Sequence, residues 1–225
     1  MEPITELNLD PCRMRLYSGG ASMDTLLWLM GEESFSHPPA LPEGTGVIAV
    51  SGQDWDRDFS PWPAPGAFRG QSFSGGAEAY LRKLTDAWMP QALEAFALRP
   101  VRQGILGYSL AGLFSVYALS MSGVFSLGAS VSGSLWYDGF TDWLSAHPPV
   151  RPPEKLYFSV GDQEKKSRNP RLRQVEDCTI RTAEWAKSVC GSVCFELNRG
   201  GHFDQPEERL HRAVRFLLTG SPEES

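Results

Sequence analysis

The stretch Arg102-Gln103-Gly104-Ile105-Leu106-Gly107-Tyr108-Ser109-Leu110-Ala111-Gly112-Leu113-Phe114 constrains this chain more than any other. An apolar run ends at Gly107, a serine follows two residues on, and small residues come next. A long apolar helical pattern then runs from Leu113 to Leu119. The reading is strand, sharp turn, helix, with Ser109 at the apex. A side chain held there stands above the end of a sheet, and its neighbours must be small because the turn is tight and strained. The pattern is G-x-S-x-A. Ala111 occupies a position where glycine is usual, and a methyl group is expected to fit.

The rest of the chain supplies a sheet for that turn to sit on. Cys12 to Ser18, Thr25 to Met30, Val47 to Val50, Val124 to Ser132, Lys155 to Val160 and Ser192 to Leu197 read as strands. Several are continuous apolar runs, as strands buried on both faces require. Helical patterns lie between them at Gly76 to Leu98, kinked or split at Pro90, at Phe140 to Ala146, and at Arg171 to Cys190. Asp204 and Glu207 form a capping-box pattern for a last helix to about Leu218. Ser51 to Gly76 reads as a long irregular loop, too aromatic to be disordered. Strands alternating with helices predict an α/β fold with a mostly parallel central sheet and helices on both faces. With 225 residues and no linker, we expect one domain over 1–225, frayed at 1–11 and 220–225.

Composition narrows the partners. A net charge of −6 gives no reason to expect a nucleic-acid or membrane-surface partner. The start of the chain lacks the basic-then-apolar pattern of a secretory signal, and no apolar stretch nears the roughly 18 residues that cross a bilayer. Four cysteines do not make a disulfide scaffold in a chain of this size, and Cys190 and Cys194 lack a zinc or redox spacing. Reduced thiols in a cytoplasmic protein with no bound metal or cofactor are the expectation. Asp54-Trp55-Asp56-Arg57-Asp58 alternates like a calcium loop. Phe59 and Pro65 stand where such a loop needs glycine and glutamate, so calcium is rejected. The alternative is structural, with Asp58 and Ser60 bonding the loop backbone.

A serine hydroxyl is a weak nucleophile at neutral pH and needs a base, which needs a group to orient it. Of the four histidines, His37 lies in a proline-rich loop, His147 at a helix end and His211 inside the last helix. His202 alone follows a strand and is preceded by the flexible pair Gly200-Gly201. Asp162 and Glu164 follow the preceding strand. Glu164, three residues past Gly161, is favoured as the acid, while Asp162 can cap the turn. A Ser–His pair working unaided is the third option. All these residues fall at the carboxyl ends of strands, where such folds carry their sites. The order Ser109, Glu164, His202 differs from the chymotrypsin and subtilisin orders. The backbone N–H of Leu110 is the expected first donor to an oxyanion, and that of Glu32, just past Gly31, the second.

The chain resembles the α/β-hydrolase esterase family that includes the enterobactin and salmochelin esterases and, more distantly, S-formylglutathione hydrolase (esterase D). The matching stretches are Leu29-Met30-Gly31-Glu32, Asp56 to Trp62, Gly107 to Leu113, Ser132-Gly133-Ser134-Leu135-Trp136, Gly161 to Lys166, Arg168-Asn169-Pro170 and Gly200-Gly201-His202-Phe203. The resemblance implies an α/β-hydrolase fold, Ser109 as nucleophile, His202 as base, and hydrolysis of carboxylic esters through an acyl-enzyme, siderophore-type esters included. Thioesterase or S-formylglutathione hydrolase action, peptidase action and acyl transfer use the same parts. A binding protein on an inactive hydrolase fold is the non-enzyme alternative. The segment from Ser132 to Pro153 is too short for a large cap. An open site with an aromatic rim is therefore expected, with Arg57, Trp55, Trp62, Trp136 and Tyr108 as candidate substrate contacts.

Overall fold

The structure is a computed structural model that describes residues 3–20, 22–31 and 38–223. Ten strands are described: β1 (Thr5–Leu9), β2 (Cys12–Ser18), β3 (Met23–Met30), β4 (Gly44–Ser51), β5 (Pro63–Pro65), β6 (Ser72–Ser74), β7 (Arg102–Tyr108), β8 (Leu127–Val131), β9 (Lys155–Gly161) and β10 (Ser192–Asn198). Eight form one sheet in the order β1-β2-β4-β3-β7-β8-β9-β10. β1 and β2 run antiparallel at one edge, and every pairing from β4 to β10 is parallel. Within the segment 1–11 expected to be frayed, Thr5–Leu9 is a strand. Thr5–Leu9 pairs residue by residue with Cys12–Leu16, which satisfies backbone groups that a free end would leave to water.

Alternation along β3 divides the core. Leu26, Trp28 and Met30 face one side of the sheet, while Leu27 and Leu29 face the other; all five are buried. The first side carries α2 (Ala77–Lys83), α3 (Met89–Ala95), α4 (Leu110–Met121), α5 (Phe140–Ala146) and α6 (Val175–Lys187). The second is covered, among the described residues, by α7 (Pro206–Thr219), through Leu210, Ala213, Val214, Phe216 and Leu217. α4 is buried from Leu110 to Ser120, which explains why its sequence is apolar all round.

Three sequence expectations need correction. The loop from Ser51 to Gly76 contains a short helix, α1 (Trp55–Asp58), and the two-stranded β5–β6 hairpin. The interruption at Gly76 to Leu98 is a π-helical turn over Leu84–Trp88, ahead of the proline. Pro90 follows this turn inside a helical run that continues from Ala77 to Ala95, and the wider turn makes room for a ring that has no N–H to donate. The capping box at Asp204 does not form. Gln205, at φ 53°, precedes α7, while Asp204 turns back and accepts a bond from the Gly201 N–H at 2.7 Å. Between β8 and β9 the only regular element is α5, so no large cap is built there.

Candidate active site

The parallel register lines up the carboxyl ends of five strands. Met30 is level with Gly107, Tyr108 with Val131, Val131 with Ser159, and Gly161 with Asn198. The turns that follow, at Gly31, Ser109, Ser132, Asp162 and Arg199, thus share one edge of the sheet.

Ser109 sits at φ 57° and ψ −123°, a strained conformation for a residue with a side chain. Backbone bonds hold it there. Its N–H donates to Val131 O at 3.1 Å, and its carbonyl accepts from the N–H groups of Gly112, Leu113 and Ser134 at 3.0, 3.1 and 3.0 Å. The small neighbours have identifiable causes. A Cβ on Gly107 would lie 2.6 Å from the backbone carbon and oxygen of Ala111. The Ala111 methyl lies in the space left open by Gly107 and by Gly31, which is why alanine fits the last position of the motif. Leu110 opens α4, so its N–H precedes the helix's own ladder and needs an outside acceptor. Glu32, the expected second donor, lies outside the described residues, as does His37. Gly31 is described: it turns at φ 73°, beside Ala111.

Ser109 Oγ lies 3.1 Å from His202 Nε2, and His202 Nδ1 lies 2.8 Å from Glu164 Oε2. His202 is partly exposed, whereas the Glu164 side chain is 4% exposed. The second carboxylate oxygen of Glu164 accepts the Gly161 N–H at 2.7 Å and a guanidinium N–H of Arg209 at 3.2 Å. Burial pushes the Glu164 carboxyl up, but the bond and charge of His202 and the Gly161 N–H outweigh it, holding it below the ordinary glutamate value. Asp162 is engaged elsewhere. Its Oδ1 accepts the Gly200 N–H and the Gln163 amide, both at 2.9 Å, which lowers its pKa and stitches the His202 loop to the end of β9. Of the two candidate carboxylates, Glu164 meets the imidazole and Asp162 meets the backbone.

The candidate rim residues separate. Trp55 lies beside the position where a Cβ on Gly31 would stand, so it flanks the early turn. Trp136 is buried two residues past Ser134, with the Arg171 guanidinium 5.2 Å above its ring. Trp62 packs into a cluster with Tyr137, Phe140 and Trp143, and its indole N–H donates to Asp138 O. Arg57 is an exposed partner of Asp54 and Asp58. Asp58 is turned inward, where it also accepts the Asp54 N–H, and Ser60 Oγ bonds Asp56 O and the Gly75 N–H. Tyr108 is buried beneath His202, and its hydroxyl donates to the His202 carbonyl. Its position is thus under the base rather than on the rim.

Two residues were missed by the sequence reading. Phe203 is 84% exposed and meets the His202 ring edge-on at 5.0 Å. Arg209 lies on the inner face of α7, where a cation within an apolar stripe (Leu210, Ala213, Val214) was the available signal. In chemical terms, this edge holds a hydroxyl, an imidazole and a carboxylate in one hydrogen-bonded chain beside the start of a helix, a set competent for acyl transfer.

No family model matches the chain. It is 27% identical over 175 residues to the uncharacterized protein YbbA of Bacillus subtilis strain 168, across 75% of this chain and 70% of that protein. Among solved structures it resembles an IroE-like serine hydrolase from Shewanella oneidensis, with a TM-score of 0.74 at 15% identity, covering 95% of this chain and 79% of the other. It also resembles the siderophore hydrolase EstA from Aspergillus nidulans, with a TM-score of 0.68 at 20% identity, covering 93% and 90%. The fold is that of the α/β-hydrolases, as its strand order and these likenesses show.

Proposed function

We propose that the protein is a serine hydrolase that cleaves carboxylic esters of small molecules through an acyl-enzyme. The observation that carries this reading is the chain of contacts from Ser109 Oγ through His202 to Glu164 Oε2, at 3.1 and 2.8 Å. With Nδ1–H donated to Glu164, the Nε2 of a neutral His202 is free to accept the Ser109 proton. Ser109 Oγ then adds to the ester carbonyl. The oxyanion is held by the Leu110 N–H, with Glu32 as the second proposed donor. As the tetrahedral adduct collapses, His202 gives its proton to the departing alkoxide, and Glu164 stabilises the imidazolium until that transfer. Water then repeats the sequence on the acyl-enzyme, with His202 again as base. No step calls for a metal or cofactor.

Several features support siderophore-type esters as the first substrates to try. The structural neighbours include a protein described as a siderophore hydrolase. The segment between β8 and β9 is short, and Phe203 stands exposed beside the base. We place the protein in the cytoplasm. All four cysteines are free, and burial pushes the thiols of Cys12 and Cys194 up to about 12 and 11, which keeps them unreactive. Among the described residues no helix is long and apolar enough to cross a membrane.

The test is a fluorophosphonate probe with a panel of p-nitrophenyl esters and macrolactone siderophores, using wild type, Ser109→Ala and His202→Ala. The expected result is labelling at Ser109 and ester turnover in wild type only, with each variant slower by about 10⁴-fold or more. A wild-type protein that is neither labelled nor active on any ester would overturn the reading.

A further inference from the structure

Arg209 carries a buried charge whose bonds all run to the ends of other elements. Its side chain is 2% exposed, on the apolar face of α7. One terminal nitrogen donates to Ser132 Oγ at 2.8 Å and to Glu164 Oε1 at 3.2 Å. The other donates to the carbonyls of Arg199 at 3.2 Å and Gly201 at 3.0 Å. The four acceptors lie in three separate segments, those that follow β8, β9 and β10. Ser132 is itself held at φ 45°, a left-handed conformation that a serine adopts only under constraint.

Stability alone does not explain such a residue. Burying an ion pair gains little over packing apolar side chains of similar size, because both charges must leave water. An aliphatic side chain would continue the stripe of Leu210, Ala213 and Val214 at lower cost. What a guanidinium adds is a flat fork with two separately directed nitrogens. Here one nitrogen holds the acid and the other holds the loop that carries the base.

We propose that Arg209 is a positioning residue that acts through Glu164 and the His202 loop. Together with the Gly161 N–H it occupies Oε1 of Glu164, which leaves Oε2 to face the imidazole. Through the Arg199 and Gly201 carbonyls it fixes the height of His202 above Ser109. This inference rests on the hydrolase reading and adds to it a residue that touches neither substrate nor the reacting atoms.

The test compares Arg209→Met and Arg209→Lys with wild type and Glu164→Gln. Active sites are first counted by fluorophosphonate labelling, so rates refer to folded, labelled protein. Kcat and KM are measured on a p-nitrophenyl ester, and the downfield imidazole Nδ1–H signal is recorded by proton NMR. Arg209→Met should lower kcat by about 100-fold, the scale of a small misplacement of catalytic groups, with KM within about twofold. The imidazole signal should move upfield or vanish, as in Glu164→Gln. Arg209→Lys keeps the charge but not the fork, and should recover only part of the rate. Should Arg209→Met fail to fold, Arg209→Lys and Ser132→Ala, which removes one of the four acceptors, carry the same measurements. Wild-type kcat and an unmoved imidazole signal in the folded variants would overturn the proposal while leaving the hydrolase reading intact. Absence of labelling in wild type would instead remove the reading on which it rests.

Discussion

Ser109 and His202 stand 3.1 Å apart but are held by different means. Ser109 is held by backbone. Its carbonyl takes three N–H bonds, its N–H bonds the next strand, and the fit depends on a missing Cβ at Gly107. His202 is held largely by side chains, beside backbone bonds from the Gln163 N–H to the Gly200 carbonyl and from the Asp204 N–H to the Gly201 carbonyl. Asp162 fixes the Gly200 N–H, Asp204 fixes the Gly201 N–H, Tyr108 bonds the His202 carbonyl, and Arg209 bonds the Gly201 carbonyl. A nucleophile turn built from backbone needs a compact local pattern. A base carried on a flexible glycine loop can be fixed by residues scattered through the chain.

The largest effect that tests this contrast is on the acid. Glu164→Gln should lower kcat by about 10³- to 10⁴-fold, since an amide no longer holds the imidazole in the required tautomer. Asp162→Asn should cost about tenfold or less, because Asp162 holds the Gly200 backbone rather than the ring. Comparable losses in the two variants, measured by steady-state kinetics, would break the division of labour between them.

Next comes the serine turn. Gly107→Ala should destabilise the protein by about 1–3 kcal/mol, lowering Tm by roughly 3–10 °C. Adding Ala111→Gly should not restore the loss, since the backbone carbon and oxygen of residue 111 are as close as its methyl. Recovery in the double variant would show that side chains, not backbone, set this turn.

Tyr108→Phe should lower kcat/KM by about threefold to tenfold, the worth of one hydrogen bond, with unchanged labelling of Ser109. No change at all would remove Tyr108 from the support of His202.

The smallest effect is on acid stability. Glu164 is held below the ordinary glutamate value of 4.5, so unfolding takes up a proton there as the pH falls. The stabilisation is full above that value and is lost as pH drops through the lower folded value. As the pH falls below the ordinary glutamate value of 4.5, the Tm of wild type should therefore fall more steeply than that of Glu164→Gln. Parallel curves would mean that the carboxyl is not held low.

Much of this was legible without coordinates. The strands Cys12–Ser18, Lys155–Gly161 and Ser192–Asn198 and the helix Phe140–Ala146 lie where apolar patterning puts them, to within a residue. The strand–turn–helix at Ser109 was readable because Gly107, Ser109, Ala111 and Gly112 constrain one another within a few residues. The hairpin at Thr5–Leu9 was not, because its partner lies across a turn at Asp10-Pro11 and its residues are half polar. Tyr108 is a candidate substrate contact by sequence because an aromatic beside a motif can serve pocket or core, and only packing puts it beneath His202. The start of α7 was misplaced because Asp204 had two possible partners, the helix N–H groups and Gly201, and the fold selected the second.

The sequence by itself determined the α/β alternation, the sharp turn at Ser109, and the order in which serine, acid and histidine arrive at strand ends. These depend on local periodicity and on steric limits within a few residues, which any short segment displays. Tertiary structure alone decided that Glu164 rather than Asp162 meets the imidazole, that Tyr108 lies beneath it, and that Arg209, seven residues beyond His202, reaches back to both the acid and the loop. Those are choices among acceptors of similar chemistry, and they are settled by which side chains the parallel register of β8, β9 and β10 brings within bonding distance.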